Sequence, residues 1–203
     1  LLYLLAGLLL LWNLRTLVLH ENHFDDAYMF LRYAKVWEAS GELGWNVGDR
    51  TYGLTSLPYA FFVGAAYQLV PEGWVSGGKF LTLCSFFWGM VGLCLLFRST
   101  QMVLQGSRLD GKNLEWAMVG VLLASTAFRA NLLTGMDTTL AFAGNAFLIW
   151  TVLHHHRKAG RFTIFLVALA AYLTFSIRPD NGLYAFLFPL LSLYLISNTL
   201  KPY

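Results

Sequence analysis

The chain has 203 residues, 57% of them hydrophobic and 12% charged, against roughly 25% charged in an ordinary soluble domain. Fourteen basic and eleven acidic residues leave a formal charge of +3, too small to suggest nucleic-acid binding. Charges gathered into short clusters between apolar runs describe a chain solvated by lipid.

Apolar segments fall at about 1–19, 57–70, 77–97, 114–130, 138–153, 162–177 and 182–198. The first opens at Leu1 without a Met, and its run 1–14 is shorter than the roughly 20 residues of a crossing. The chain is therefore expected to be the front part of a longer protein, with residues also lost upstream. No small-residue cleavage site precedes the polar stretch that follows, which argues against a signal peptide.

That stretch begins with His20-Glu21-Asn22-His23-Phe24-Asp25-Asp26, acids and histidines gathered at a membrane exit. Residues 26–40 follow as an amphipathic interfacial helix. Ala27, Phe30, Leu31, Ala34 and Trp37 make one apolar stripe at i, i+3, i+4, i+7 and i+10, and Arg32, Lys35 and Glu38 take the other face. Asp25 is placed to cap it. A carboxylate at a helix N-terminus stays ionised beside backbone N–H groups and the macrodipole, so it can accept a proton from an attacking hydroxyl. The alternative is that Asp25 only caps and Asp26 only supports the first turn. Residues 41–53, with Asn46-Val47-Gly48-Asp49, are turn chemistry.

Segment 57–70 lies between Pro58 and Pro71 and is short for a crossing. Cys84 and Cys94 share the next segment, about 15 Å apart along a helix axis, beyond a disulfide; buried free thiols are expected. Ser76-Gly77-Gly78-Lys79 lacks the spacing of a phosphate loop and opens a helix. Arg98, Arg108 and Lys112 in 98–113, then Arg157, Lys158 and Arg161 in 154–161, mark cytoplasmic loops, and Lys201 fits the same side. With those loops inside, 57–70 cannot cross before an outward Pro71. It is expected to lie in the outer leaflet within one external loop from 20 to 76. The fold class is then all-α: a polytopic transmembrane helix bundle of about six crossings, with interfacial helices 26–40 and 57–70 in a long first external loop.

Two later external turns carry polar side chains. Asp137 in Thr134-Gly135-Met136-Asp137-Thr138 stands where it can cap a crossing. Arg178 in Arg178-Pro179-Asp180-Asn181-Gly182 departs from the positive-inside pattern, and either binds a lipid phosphate or snorkels and pairs with Asp180. His154-His155-His156 point about 100° apart on a helix and do not share one metal ion. Arg15, near the first exit, either faces the site or snorkels.

The stretch Asp25-Asp26-Ala27-Tyr28-Met29-Phe30-Leu31-Arg32-Tyr33-Ala34, followed by Gly44-Trp45-Asn46-Val47-Gly48-Asp49-Arg50 and Tyr52-Gly53-Leu54-Thr55-Ser56, resembles the first external loop of GT-C glycosyltransferases. It is most similar to the bacterial branch of arabinofuranosyltransferases and mannosyltransferase-like proteins. Thr134-Gly135-Met136-Asp137-Thr138 resembles a later turn of that branch, where Glu is more usual than Asp137. Arg178-Pro179-Asp180-Asn181-Gly182 resembles its Arg-Pro-acid-Gly turn with Asn181 inserted.

The resemblance implies that residues 1–203 are the N-terminal part of a GT-C-type transmembrane domain in a bacterial inner membrane, with the site facing outward. The donor it implies is a polyprenyl-phosphate-linked sugar; the acceptor is a glycan, lipid or protein. Asp25 or Asp26 would be the base, with Asp25 slightly preferred, and Arg178 would stabilise the leaving phosphate. Asp137, Asp180, His23 and Glu21 would bind substrate or shape the pocket. Some such enzymes use a divalent metal, which Asp25, Asp26 and Glu21 would help hold, but no cofactor is predicted. Full members have more crossings and often a soluble C-terminal domain, so acceptor recognition would lie outside this chain. The competing readings are a non-catalytic handler of lipid-linked sugars, such as a flippase or polymerase partner, and a secondary transporter. A transporter places its ionisable groups at mid-membrane, whereas the acids here cluster in the loops.

Overall fold

The computed structural model describes residues 2–19, 21, 24–49, 53–71, 73–105, 111–158 and 160–199. Among them are nine α-helices, one 3-10 turn and no strand. They are α1 Leu2–Leu19, α2 Ala27–Ser40, α3 Leu57–Gln68, α4 Gly77–Leu104, α5 Gly111–Ala124, α6 Thr126–Leu133, α7 Thr138–Arg157, α8 Arg161–Ile177, the 3-10 turn Pro179–Asn181, and α9 Gly182–Thr199. Two helices, α1 and α4, are long and apolar enough to cross a membrane, and the α5–α6 pair makes a third if its two arms count as one span. The chain is thus all-helical, with two or three candidate spans among the described residues.

Helix α4 is the axis of the fold. Ser76 starts it by accepting the Lys79 N–H at 3.2 Å, and no proline interrupts its 28 residues. It runs seven residues past the apolar segment that predicts it. The hydroxyls of Ser99 and Thr100 bond back to the carbonyls of Leu95 and Leu96, so they need no outside partner. Arg98 therefore stands in a helix, which corrects its placement in a loop. Cys84 is buried but Cys94 is exposed, both as free thiols, so only one of the two is the buried thiol expected.

Helix α7 lies alongside α4 and runs in the same direction. Ser85 donates to the Met136 carbonyl at 3.2 Å, and a side chain at Gly92 would overlap the Phe142 ring. At the far end Arg157 donates to Gln105 and to the Met102 carbonyl. Small residues let the two backbones close up, which substitutes for a hydrophobic driving force where lipid is the solvent. Antiparallel α8 packs on α7 through Leu148, Val152, Val167 and Ala170.

On the other side of α4, helix α1 runs beside and parallel to α5. Tyr3 meets the Trp116 ring edge-on at 5.2 Å, and Asn13 donates to the Leu123 carbonyl at 3.3 Å. Lys79 at the start of α4 donates to the carbonyls of Leu17 and Val18, closing the C-terminus of α1 with a cation. The segment expected at 114–130 is not one straight helix. It breaks at Ser125, whose hydroxyl accepts the Phe128 N–H and starts α6, and the axis bends there by 66°.

Helices α2 and α3 sit together at the end of the bundle where α4 begins. Ala27, Phe30, Leu31 and Ala34 are buried as the stripe predicts, and Tyr33 and Val36 join them. Their cover is protein: Tyr59, Ala60 and Val63 of α3 with Phe80, Leu81 and Cys84 of α4. Gly64 leaves the space that the Trp37 ring occupies. Burying Phe30 and Leu31 this fully stabilises the dock by roughly 1.5–3 kcal/mol each. Gly41 ends α2 in the left-handed region at φ +71°, donating to the Trp37 carbonyl at 2.8 Å. At 12 residues, α3 extends about 18 Å, short of a crossing.

Candidate functional site

Asp25 and Asp26 stand where the chain enters α2. The helix begins at Ala27 with Asp26 in the capping position, in helical backbone geometry and without a side-chain cap bond. This corrects the assignment of Asp25 as cap. The carbonyls of Asp25 and Asp26 take the Tyr28 and Met29 N–H groups instead. Both carboxylates are exposed and, with Tyr28, Met29, Arg32 and Trp45, they line an open cavity of about 490 Å³. Arg32 donates to the Trp45 carbonyl at 3.0 Å and to Asn46 Oδ1 at 2.9 Å, holding the 41–49 turn as the wall of that cavity. Glu21 is exposed beside this entry; His23 lies outside the described residues.

A second cluster gathers Asp137, Arg178 and Asp180. Arg178 forks onto Asp180, Nε to Oδ1 at 3.1 Å and NH2 to Oδ2 at 3.0 Å, and its NH1 pairs with Asp137 Oδ1 at 3.5 Å. Asp137 occupies the capping position just before α7 without making a cap bond, because its carboxylate turns toward the guanidinium. Its side chain is 3% exposed while that of Asp180 is 65% exposed, so one acid is sealed in and the other faces out. Burial raises the Asp137 carboxyl above its ordinary value, and the neighbouring Arg178 offsets only part of this. Asp180 is held below its ordinary value by its bond to Arg178.

The turn before Asp137 is fixed from two sides. Tyr59, fully buried, donates from its hydroxyl to the Gly135 carbonyl at 2.9 Å, and Ser85 takes the next carbonyl, that of Met136. Gly135 itself sits at φ +72°, where a Cβ would be strained. Phe30 meets the Tyr59 ring edge-on at 4.8 Å. The two acid clusters are thus joined through Phe30, Tyr59 and Gly135, and no described side chain of one touches the other.

Leu140, one turn on from Asp137, and Ile177, directly before Arg178, line an apolar cleft of about 340 Å³. Its walls are Trp88, Val91 and Leu95 of α4, Ala143 and Phe147 of α7, and Leu173 of α8, with Pro58 of α3 above. Buried polar atoms without a partner surround this region: Trp88 Nε1, Thr138 Oγ1, Thr174 Oγ1 and Asn181 Nδ2. An unsatisfied buried donor or acceptor costs about 1–3 kcal/mol, so four in one neighbourhood mark a place suited to a polar ligand group.

The four aspartates and the arginine are legible in the sequence, but Tyr59, Ser56, Ser85 and Trp88 are not. Periodicity carries no signal for them, since each reads as an ordinary member of an apolar or turn segment. The Ser56-Leu57-Pro58 start of a short helix was the available clue for Ser56. His155 also differs from its expected loop placement: it is buried in the last turn of α7, 2.6 Å from the Thr163 hydroxyl through Nδ1. No protein-family model, curated protein or solved structure matches the chain.

Proposed function

We propose that the chain is the N-terminal part of a GT-C-type membrane glycosyltransferase that moves a sugar from a polyprenyl-phosphate donor to an acceptor hydroxyl. In this reading α1, α4, the α5–α6 pair, α7, α8 and α9 make six crossings of a bacterial inner membrane, while α2 and α3 cap the outer face. The helix directions support that count, because α1 and α5 run together and so do α4 and α7, as alternate crossings require. The basic cluster Arg157, Lys158 and Arg161 then lies at the end away from the acids, as the positive-inside tendency requires.

The observation that carries the reading is the apolar cleft whose lining residues Leu140 and Ile177 adjoin the Asp137–Arg178 pair. Such a cleft suits a ligand with a long hydrocarbon chain and a charged head. The chain of the donor would lie between α4, α7 and α8. Its phosphate would approach Arg178, exchanging with exposed Asp180 while buried Asp137 keeps the guanidinium in place. Asp25, or else Asp26, would take the proton from the acceptor hydroxyl as that oxygen bonds to the sugar's anomeric carbon. The carbon–oxygen bond to the phosphate breaks with inversion, and its electron pair leaves on the phosphate, stabilised by the Arg178 charge. Neither Asp25 nor Asp26 is spent on capping, so both are free for this role.

The test uses the full-length protein in membranes, supplied with a panel of polyprenyl-phosphate sugars, comparing wild type with Asp25→Asn and Asp26→Asn at matched expression. Loss of a base costs about 10²–10⁴ in rate, so one variant is expected to lose transfer while still binding donor. Normal transfer by both variants would remove the base assignment. A wild type that binds these donors and never transfers would favour the non-catalytic lipid-handling reading.

A further inference from the structure

We propose that Arg129, stacked over Trp12, and Arg15, three residues on from Trp12, form a binding site for the phosphodiester of an anionic membrane lipid. The site is separate from the apolar cleft and from both acid clusters.

Arg129 belongs to α6, beyond the break at Ser125. Its guanidinium lies over the Trp12 ring, 5.1 Å from the centroid, and its Nε is buried with no hydrogen-bond partner. Arg15 is three residues on from Trp12 along α1, so the two are neighbours on one helix face, and Arg15 is exposed there. Trp12 is itself 60% exposed. An indole on the outside of an apolar helix, where the polar residues Asn13, Arg15 and Thr16 begin, is a usual marker of the headgroup layer.

The charges around this place are unbalanced. Helices α1, α4 and α6 contain no acidic residue at all. The acid of α5, Glu115, sits at the opposite end of that helix, bonded by Gln101. Glu21, past the end of α1, forms no ion pair with either arginine, and Lys79 is directed to the α1 carbonyls. Arg178 shows the contrast: it has two carboxylates, whereas Arg129 and Arg15 have none among the described residues. A guanidinium at the edge of a low-dielectric region needs an anion. Lipid phosphate is the anion that the headgroup layer supplies, and the planar donors of arginine match its oxygens. The Trp12 ring holds the Arg129 plane in position by cation–π attraction, and the bend between α5 and α6 brings that residue across to α1. A straight helix through Ser125 would carry it past.

This inference rests on the Trp12–Arg15 turn of α1 lying in the headgroup layer and not on glycosyl transfer. Its test measures no transfer, so the two readings fail separately. Full-length protein is titrated with phosphatidylglycerol and with phosphatidylcholine of the same acyl chains, and bound lipid is counted by native mass spectrometry. The variants are Arg129→Gln, Arg15→Gln and the double, with Arg161→Gln at the other end as control. Wild type and the control should prefer phosphatidylglycerol. The double variant should bind it about tenfold more weakly, with phosphatidylcholine binding unchanged. Arg129→Lys, which keeps the charge and loses the fork, should fall between. If Arg129→Gln does not fold, Arg15→Gln alone should still weaken phosphatidylglycerol binding, since that side chain is on the surface. Equal phosphatidylglycerol affinity in wild type and in the folded variants would overturn the proposal. Displacement of the lipid by inorganic phosphate at matched ionic strength would overturn the lipid as its ligand.

Discussion

A buried carboxylate facing a guanidinium is pulled two ways, and at Asp137 burial wins. Its pKa is raised in the folded protein, so the folded state binds that proton more tightly than the unfolded chain does. The stability this provides is fully present below the ordinary carboxylate value of about 4 and is lost as pH rises through the raised value. Asp137→Asn imitates the protonated form. The melting temperature of wild type in detergent, minus that of Asp137→Asn, should therefore fall as pH rises from about 4 toward neutrality. A difference that grows instead would mean that the attraction of Arg178 outweighs burial. Tyr59→Phe keeps the ring against Phe30 and leaves the Gly135 carbonyl unpaired; a loss of about 1–3 kcal/mol is expected in denaturant titration. At this scale the sequence names which acids stand in the loops, because a carboxylate between apolar segments is conspicuous. It does not say that Asp137 is sealed and Asp180 open, since burial is decided by Tyr59, Ser56 and Ser85 arriving from elsewhere in the chain.

At the scale of elements, the apolar segments forecast the helices to within a few residues wherever lipid-like composition sets both ends. The start of α7 after Gly135 and the end of α8 before Pro179 are examples. The forecast slips where polar residues continue a helix, as Arg98 to Leu104 do in α4, because serine and threonine can satisfy themselves inside it. It also misses the break at Ser125, where the residues on both sides are apolar and only a hydroxyl cap marks the bend. Pairing is less legible still. Which helices touch depends on glycines that look alike in sequence: Gly92 faces the Phe142 ring, with Ala143 Cα 3.1 Å from a built Cβ, whereas Gly120 has nothing within 4 Å. Gly92→Leu should destabilise the α4–α7 pair by about 1–3 kcal/mol or more. Gly120→Ala should be neutral or stabilising by up to roughly 1 kcal/mol. Thermal unfolding of the two variants side by side checks this, and equal effects would mean that the two helices pack elsewhere.

For the whole molecule, the directions of the helices constrain how the chain sits in a bilayer. Because α4 and α7 run the same way, whatever lies between them must carry the chain back, and α5 with α6 does so in spite of the bend. Helix α8 then returns antiparallel to α7, so the α2–α3 cap and the Asp137–Arg178 turn share one end, with the Arg157–Arg161 cluster at the other. If six segments cross, these two ends face opposite sides of the membrane. Single cysteines placed at Glu42→Cys, in the turn after α2, and at His156→Cys, in the last turn of α7, report this once Cys84 and Cys94 are replaced by alanine. Both positions are exposed. In intact cells a membrane-impermeant maleimide should label the first and spare the second until the membrane is opened. Labelling of both from outside would place the two ends on one face, which the helix directions allow only if α7 and α8 form a re-entrant pair. The six-crossing arrangement and the outward-facing site would then fall together, while the packing of α2 and α3 onto α4 would stand.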